Sequence, residues 1–428
     1  MTTAQTPDLV AAQRHTVRTL VATQAIGGIG LSAAIAVGAL LAREITGSDG
    51  LAGLAQTAQT LGAALVAAGL AAYMSRHGRR PGLTLGYLGG AVGGALCLVS
   101  GVVGWFPLLL LGMVMLGAVT ATNLQSRYAA TDLAVPAHRG RDLSTVVWAT
   151  TIGAVLGPNL SGPGAVLAGW LHIPEKTGPF IFTIVALLAA AGVMVTRLRP
   201  DPLLLARSVG AHDDPEPEAE SVAHDRPWPI ILHTPLVLAA AVGMALSHAV
   251  MVSVMVMTPI HMDHGGASLE IIGLVISGHI LGMFAFSPLV GILADRVGSP
   301  LVIGIGGLVL LSSLVLSGLS APGASPGLGA GLFLLGLGWS FGSVGSSTLL
   351  VAATPMRHRP RVQGTVDMIT GFTAAAGGAV AGLVVATVGF GWLSAGAAVL
   401  AFGVVVVGVV AGRYAAPRRP VEPVVETL

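Results

Sequence analysis

The chain has 428 residues, of which 54% are hydrophobic and only 9% charged, and its mean hydropathy is +0.83. Those values exclude an ordinary soluble domain and describe a multi-span membrane protein, whose first partner is the lipid bilayer. A net charge of +2 gives no reason to invoke nucleic acid, and one cysteine, Cys97, excludes an intrachain disulfide framework or a cysteine-based zinc site.

Taken in chain order, apolar runs lie near 17–42, 51–75, 82–104, 106–130, 143–170, 178–197, 231–258, 270–294, 299–320, 327–353, 362–388 and 390–412. Each is long enough to cross a bilayer, so the sequence predicts an all-α membrane protein of twelve spans, numbered 1 to 12. The first run is too long for a cleaved leader and is expected to be retained. All Lys and Arg except Arg43 and Lys176 fall at the termini or beside every second connection. By the positive-inside rule both termini and the connection 200–230 face the cytoplasm, which for an Arg-rich, Ala- and Gly-rich chain suggests a bacterial plasma membrane. The chain then divides into a six-helix half at 1–199, a linker at 200–230, a second six-helix half at 231–413 and a tail at 414–428. The linker carries "HDDPEPEAE" and is expected to be mobile and solvated; His212 and His224 within it are candidates for metal buffering at most.

The halves repeat at an offset of 220 residues: Arg76 falls on Arg296, Gly78 on Gly298, the run Pro136–Arg141 on Met356–Arg361, and Gly157 on Gly377. Such duplication is the sequence trace of a transporter. "GILADRVGSPL", with Gly291, Asp295, Arg296 and Gly298, resembles the signature loop of the major facilitator superfamily. The first-half copy departs from it, with Ser75 where Asp is usual and Ala71 where Gly is usual. The resemblance implies two six-helix bundles that rock about a central cavity. Spans 1, 4, 7 and 10 would line that cavity, and spans 2, 5, 8 and 11 would support its gates.

Span 7 and its exit, "MALSHAVMVSVMVMTPIHMDHGG", gather five methionines and three histidines. Met244, His248, Met251 and Met255 fall at i, i+4, i+7 and i+11, one helix face, and Met262 extends it if the helix survives Pro259. In span 8, His279 and Met283 share a face at i, i+4, so spans 7 and 8 are expected to present thioethers and imidazoles to each other at similar depth. Neutral soft ligands in series suit passage of cuprous ion. Met251-x3-Met255 followed by His279-x3-Met283 resembles the paired motifs of the CcoA-type bacterial copper importers. That resemblance implies those four residues as the metal path, with copper as the transported substrate; Met244 and His248 join it by helical phase alone. His261, Met262 and His264 are expected to lie exposed at the mouth as a capture site. Cys97 offers no cytoplasmic thiol for release, so a cytoplasmic copper acceptor would be needed.

"GAVLGPNLSG" places Gly157 and Pro158 in span 5, where small residues allow close helix approach and proline loosens the backbone. Asp367 in span 11 can take up a proton or pair with a gate arginine, Arg127 or Arg141. Gln24, Asn123, Gln125 and the run "SFGSVGSST" supply uncharged hydrogen-bonding groups. No nucleotide-binding loop or nucleophile elbow is present, so neither an enzyme nor direct use of ATP is expected, nor any tightly bound cofactor. The leading expectation is a monomeric copper importer working by alternating access. The alternatives are an organic-solute carrier, either a riboflavin-type importer or a drug:proton antiporter, and a non-transporting copper sensor.

Overall fold

The computed structural model describes residues 8–213, 226–321, 323 and 326–415. Among them lie twelve helical segments long and apolar enough to cross a membrane: Leu9–Thr46, Gly53–His77, Arg79–Val103, Phe106–Ala129, Pro136–Trp170, Glu175–Val209, Pro235–His264, Ile271–Val297, Ser299–Leu319, Pro326–Ala353, Met356–Val388 and Phe390–Ala415. They are spans 1 to 12. The arginine-bearing connections share one end of the bundle, called here the basic face.

Local chemistry sets the helix ends. The Asp8 carboxylate opens span 1 by accepting from the Val10 and Ala11 N–H groups, and the Ser268 hydroxyl opens span 8 by accepting from Ile271 N–H. Two spans are interrupted where proline removes a backbone donor. Span 5 runs as Arg139–Leu156, a short 3-10 turn at Pro158–Leu160, then Ser161–Leu171. Span 8 runs as Leu269–Phe284 and Ser287–Val297, broken before Pro288. Span 7, by contrast, continues through Pro259 to His264, so Met262 stays in helical phase with Met251 and Met255.

Buried apolar side chains form two clusters. One draws on residues between Leu20 and Leu198; the other lies between Ile231 and Ala411 and also takes in Tyr128 and Leu143. Spans 2 and 11, and spans 5 and 8, pack along each other between the halves. Glycine permits the second of these contacts. A Cβ on Gly140 would come 2.5 Å from Gly291 O, and one on Gly291 would strike Ser144 Oγ and the Gly140 backbone. The hydrogen bonds between halves also gather at the basic face, from Ser144–Ser287 to Arg79–Gln363. The structure is therefore closed on that side.

Of the connection between the halves, the described residues are helical at both ends, and residues 214–225, with most of the acidic stretch, lie outside them. Residues Pro202–Asp213 form a helix against the basic face and Pro227–His233 a second, shorter one. His224 lies outside the described residues, as does the side chain of His212.

Replacing Gly291 by Val is expected to force spans 5 and 8 apart and to destabilise the protein by about 1–3 kcal/mol, the usual cost of overpacking. Thermal unfolding of the purified protein in detergent measures this, and a variant as stable as wild type would disprove the close approach.

Candidate functional site

Two arginine–aspartate pairs are buried where the halves meet. Arg127, in the last turn of span 4, reaches across to span 11: its Nη2 donates to Asp367 Oδ1 at 2.7 Å, and both side chains are almost fully enclosed. Gln125 Nε2 donates to the other carboxylate oxygen at 3.1 Å. Arg127 also donates to Ser343 Oγ of span 10 at 3.2 Å and lies 3.6 Å from Met244 Sδ of span 7. One guanidinium thus touches three helices of the other half.

Arg79, at the start of span 3, is wholly buried and forms a two-pronged pair with Asp132, at 2.8 and 3.2 Å. It also donates to Gln125 Oε1 at 3.0 Å and to Gln363 Oε1 of span 11 at 2.9 Å. Gln125 therefore accepts from one pair and donates to the other, so the two pairs form a single buried network. Isolated charges at such depth are too costly to persist, and each here is paired and hydrogen-bonded.

One helical turn from this network, away from the basic face, the groups are uncharged. In span 7 that turn leads from Met244 to His248, and in span 10 from Ser343 to Trp339. Trp339 Nε1–H donates to His248 Nδ1 at 2.7 Å. Indole N–H is a donor only, so His248 Nδ1 is unprotonated and the ring carries its proton on Nε2. Phe284 of span 8 meets the same indole edge-on, with centroids 5.6 Å apart. From the other half, Asn123 of span 4 sits one turn from Arg127, its Oδ1 held 3.1 Å from the Tyr87 hydroxyl. Gln24 of span 1 donates to Thr150 of span 5 at 3.0 Å and leaves its Oε1 buried without a partner.

The residues expected to form a metal path separate into different settings. Spans 7 and 8 barely touch, because span 10 packs along both of them. The face-to-face meeting of Met251 and Met255 with His279 and Met283 is therefore not made. Met251, Met244 and Met283 are buried in the second-half core, with Met255 packed at its margin. His279 turns to span 10, where its Nδ1–H donates to Leu332 O at 2.9 Å. In the neutral ring Nε2 then keeps a lone pair, and it is buried with no partner. The expected exposed capture site is also corrected: Met262 is buried and His261 stacks on Phe390 at 4.3 Å, leaving His264 exposed. Continuation of the helix through Pro259 draws the first two into the bundle. Among the described residues no group of three or more His, Cys, Asp or Glu side chains is placed to hold a metal ion.

Of the two partners considered for Asp367, the structure selects Arg127. Asp295 instead accepts from the Gly140 and Arg141 backbone N–H groups, at 2.7 and 2.8 Å. Gly157 and Pro158 stand at the break in span 5, where a Cβ on Gly157 would meet span 1 at Ile29 O, 2.8 Å away. Arg76 and Arg296 flank the repeated loops, and Gly78 and Gly298 occupy the left-handed region at φ 94° and 90°, which only glycine adopts freely. Sequence reasoning missed Arg79, Asp132, Gln363 and Trp339. The charge of Arg79 had been counted as a basic-loop marker, and Trp339 stands one residue before the polar run noted in span 10.

Twelve spans in two halves, joined by a buried charge network at a closed face, define a membrane transporter. The chain belongs to the Major Facilitator Superfamily, whose sequence pattern matches residues 19–268 and 240–427. It is 38% identical over 370 residues to the uncharacterized MFS-type transporter YdeG of Bacillus subtilis, covering 85% of this chain and 84% of that one. It is also 29% identical over 369 residues to the riboflavin transporter RfnT of Brucella anthropi, covering 85% and 86%. In fold it is similar to the human organic anion transporter MFSD10, with a TM-score of 0.73 at 18% identity, covering 94% of this chain and 100% of that one. It is similar also to a bacterial homologue of the iron transporter ferroportin in an outward-facing state, with a TM-score of 0.72 at 15% identity, covering 93% and 99%.

Replacing Arg127 by Ala strands the Asp367 carboxylate and is expected to cost about 3–5 kcal/mol, whereas Arg127→Met combined with Asp367→Leu recovers most of the loss. A double-mutant cycle by thermal unfolding measures the coupling, and additive effects would show that the two side chains do not act as a pair.

Proposed function

We propose that the chain is a secondary transporter of the plasma membrane that carries an uncharged, polar organic solute by alternating access. The positive-inside rule supports a cytoplasmic basic face, and the halves 1–199 and 231–413 are the bodies that rock. One observation carries the substrate class: His248, accepting from Trp339 at Nδ1, offers an Nε2–H donor rather than a metal-binding lone pair. Beside it stand the rings of Trp339 and Phe284, and the first half contributes the amide of Asn123 and the unpartnered Oε1 of Gln24. Donors, acceptors and rings without net charge suit a planar heterocycle bearing both N–H and C=O groups. The relation to a riboflavin transporter supports the same solute class.

Asp367 is the proton-coupling group of this reading. Its carboxylate closes the lock on Arg127, and protonation would weaken that bond and favour separation of the halves.

A second reading, import of cuprous ion, is favoured by His279. Its Nδ1–H is committed to a backbone carbonyl, which is how metal-ligating histidines commonly present Nε2. Met283 lies one turn away, and Met251 and Met255 would follow once span 10 moves.

Uptake of radiolabelled riboflavin and of radiolabelled copper into cells expressing the protein separates these readings. Riboflavin uptake above vector, reduced about tenfold or more in His248→Ala and Trp339→Ala at matched expression, is the expected result; a lost bidentate or stacked contact has that order of effect. Copper uptake abolished by His279→Ala but not by His248→Ala would reverse the order.

A further inference from the structure

The two repeated gates are built differently. In the second half, Asp295 lies on the first turn of the span 5 helix and takes two N–H groups, those of Gly140 and Arg141, that the helix itself leaves unpaired. At the offset of 220 residues the corresponding partners are Ser75 for Asp295, and Pro360 and Arg361 for Gly140 and Arg141. Serine carries no charge and proline no N–H, so the first half lacks the carboxylate and one of the two donors of that clamp. At that position Arg361 Nε donates to Ser75 Oγ at 3.2 Å.

The linker fills the place. Asp201 starts its helix by accepting from Leu203 and Leu204 N–H at 3.0 and 3.2 Å, while its other oxygen accepts from Arg80 N–H of span 3 at 2.7 Å. The same carboxylate packs on Gly78, where a Cβ would stand 2.5 Å from Asp201 Oδ2. This anchors the helix to the first half. Two turns along, Arg207 extends its guanidinium over the seam: Nη1 donates to Ser75 O at 2.7 Å and Nη2 to Arg357 O at 3.1 Å. Ser75 ends span 2 in one half and Arg357 begins span 11 in the other. A planar guanidinium can hold two carbonyls at once in a fixed geometry, which a lysine cannot.

We propose that Arg207 is a positioning residue of the transport cycle: the linker helix, anchored at Asp201, uses it to close the span 2–span 11 gate that Ser75 and Pro360 cannot close alone. In each cycle the bond to Arg357 breaks and re-forms while the bonds to Ser75 and Arg80 persist. The linker therefore travels with the first half and is a working part of the gate. The inference does not depend on the identity of the solute.

The test is a distance measurement between spin labels at His77→Cys and Ala352→Cys in the full chain on a Cys97→Ser background, without substrate. Arg207→Ala is expected to raise the population of the longer, basic-face-open distance by several-fold to about tenfold, as loss of the one hydrogen bond made only in the closed state, that to Arg357, implies. Arg207→Lys should fall between. Adding Ser75→Asp and Pro360→Gly to Arg207→Ala rebuilds the second-half type of clamp and should restore the short distance, which a merely structural role for Arg207 would not produce. Thermal unfolding of each variant confirms that it is folded. A distribution unchanged by Arg207→Ala, in a reporter that Asp295→Asn does open, would overturn the proposal.

Discussion

The bond between Arg127 and Asp367 is the constraint around which the rest is arranged. It joins span 4 to span 11 across the seam, far enough into the bundle that neither charge can be left alone. Everything nearby follows from that requirement. Gln125 completes the carboxylate, Ser343 and Met244 surround the guanidinium, and Arg79 is tied in through Gln125 with Asp132 as its own counter-ion. The same requirement makes the network suited to switching. A conformational change that parts the halves must supply each separated charge with water or a proton, so the bond resists opening until something replaces it.

Around this centre the halves are alike in helix order but not in chemistry. The second half binds the first through an aspartate on a helix end, and the first binds the second through a serine helped by the connecting segment. Duplication supplied two equivalent loops, both turning on a left-handed glycine, and substitution at two positions left one of them dependent on a helix outside the repeat. Burial of the stripe on span 7 shows a related division. Met244, Met251 and Met262 pack inward, whereas His248 and Met255 remain partly exposed on an adjoining face.

Most of the architecture was legible in the sequence, because twelve apolar runs and a one-sided distribution of arginine need no tertiary information. The break in span 5 was legible from Gly157 and Pro158; the break in span 8 was equally available in Pro288 and was passed over. The site was legible only in parts. Asp367 and Arg127 could be named as possible partners, but the choice over Arg141 depends on how the halves meet. The pairing of spans 7 and 8 failed because neighbours in the chain need not be neighbours in a bundle, and span 10 takes the position between them. His248 and His279 look alike in sequence, and both commit Nδ1, yet in opposite senses: His248 accepts there from an indole N–H, and His279 donates there to a backbone carbonyl. Only the partner decides whether the remaining nitrogen, Nε2, is left as a donor or as a lone pair.

Trp339 has a consequence beyond the bond it makes. Of the six tryptophans it is the buried one, at 7% exposure, while Trp105, Trp148, Trp170, Trp228 and Trp392 are all exposed. Any occupant resting on His248 also meets this indole. The chain thus carries its own optical reporter beside His248: an occupant there is expected to quench or shift the emission of the one buried indole, against the emission of five exposed ones.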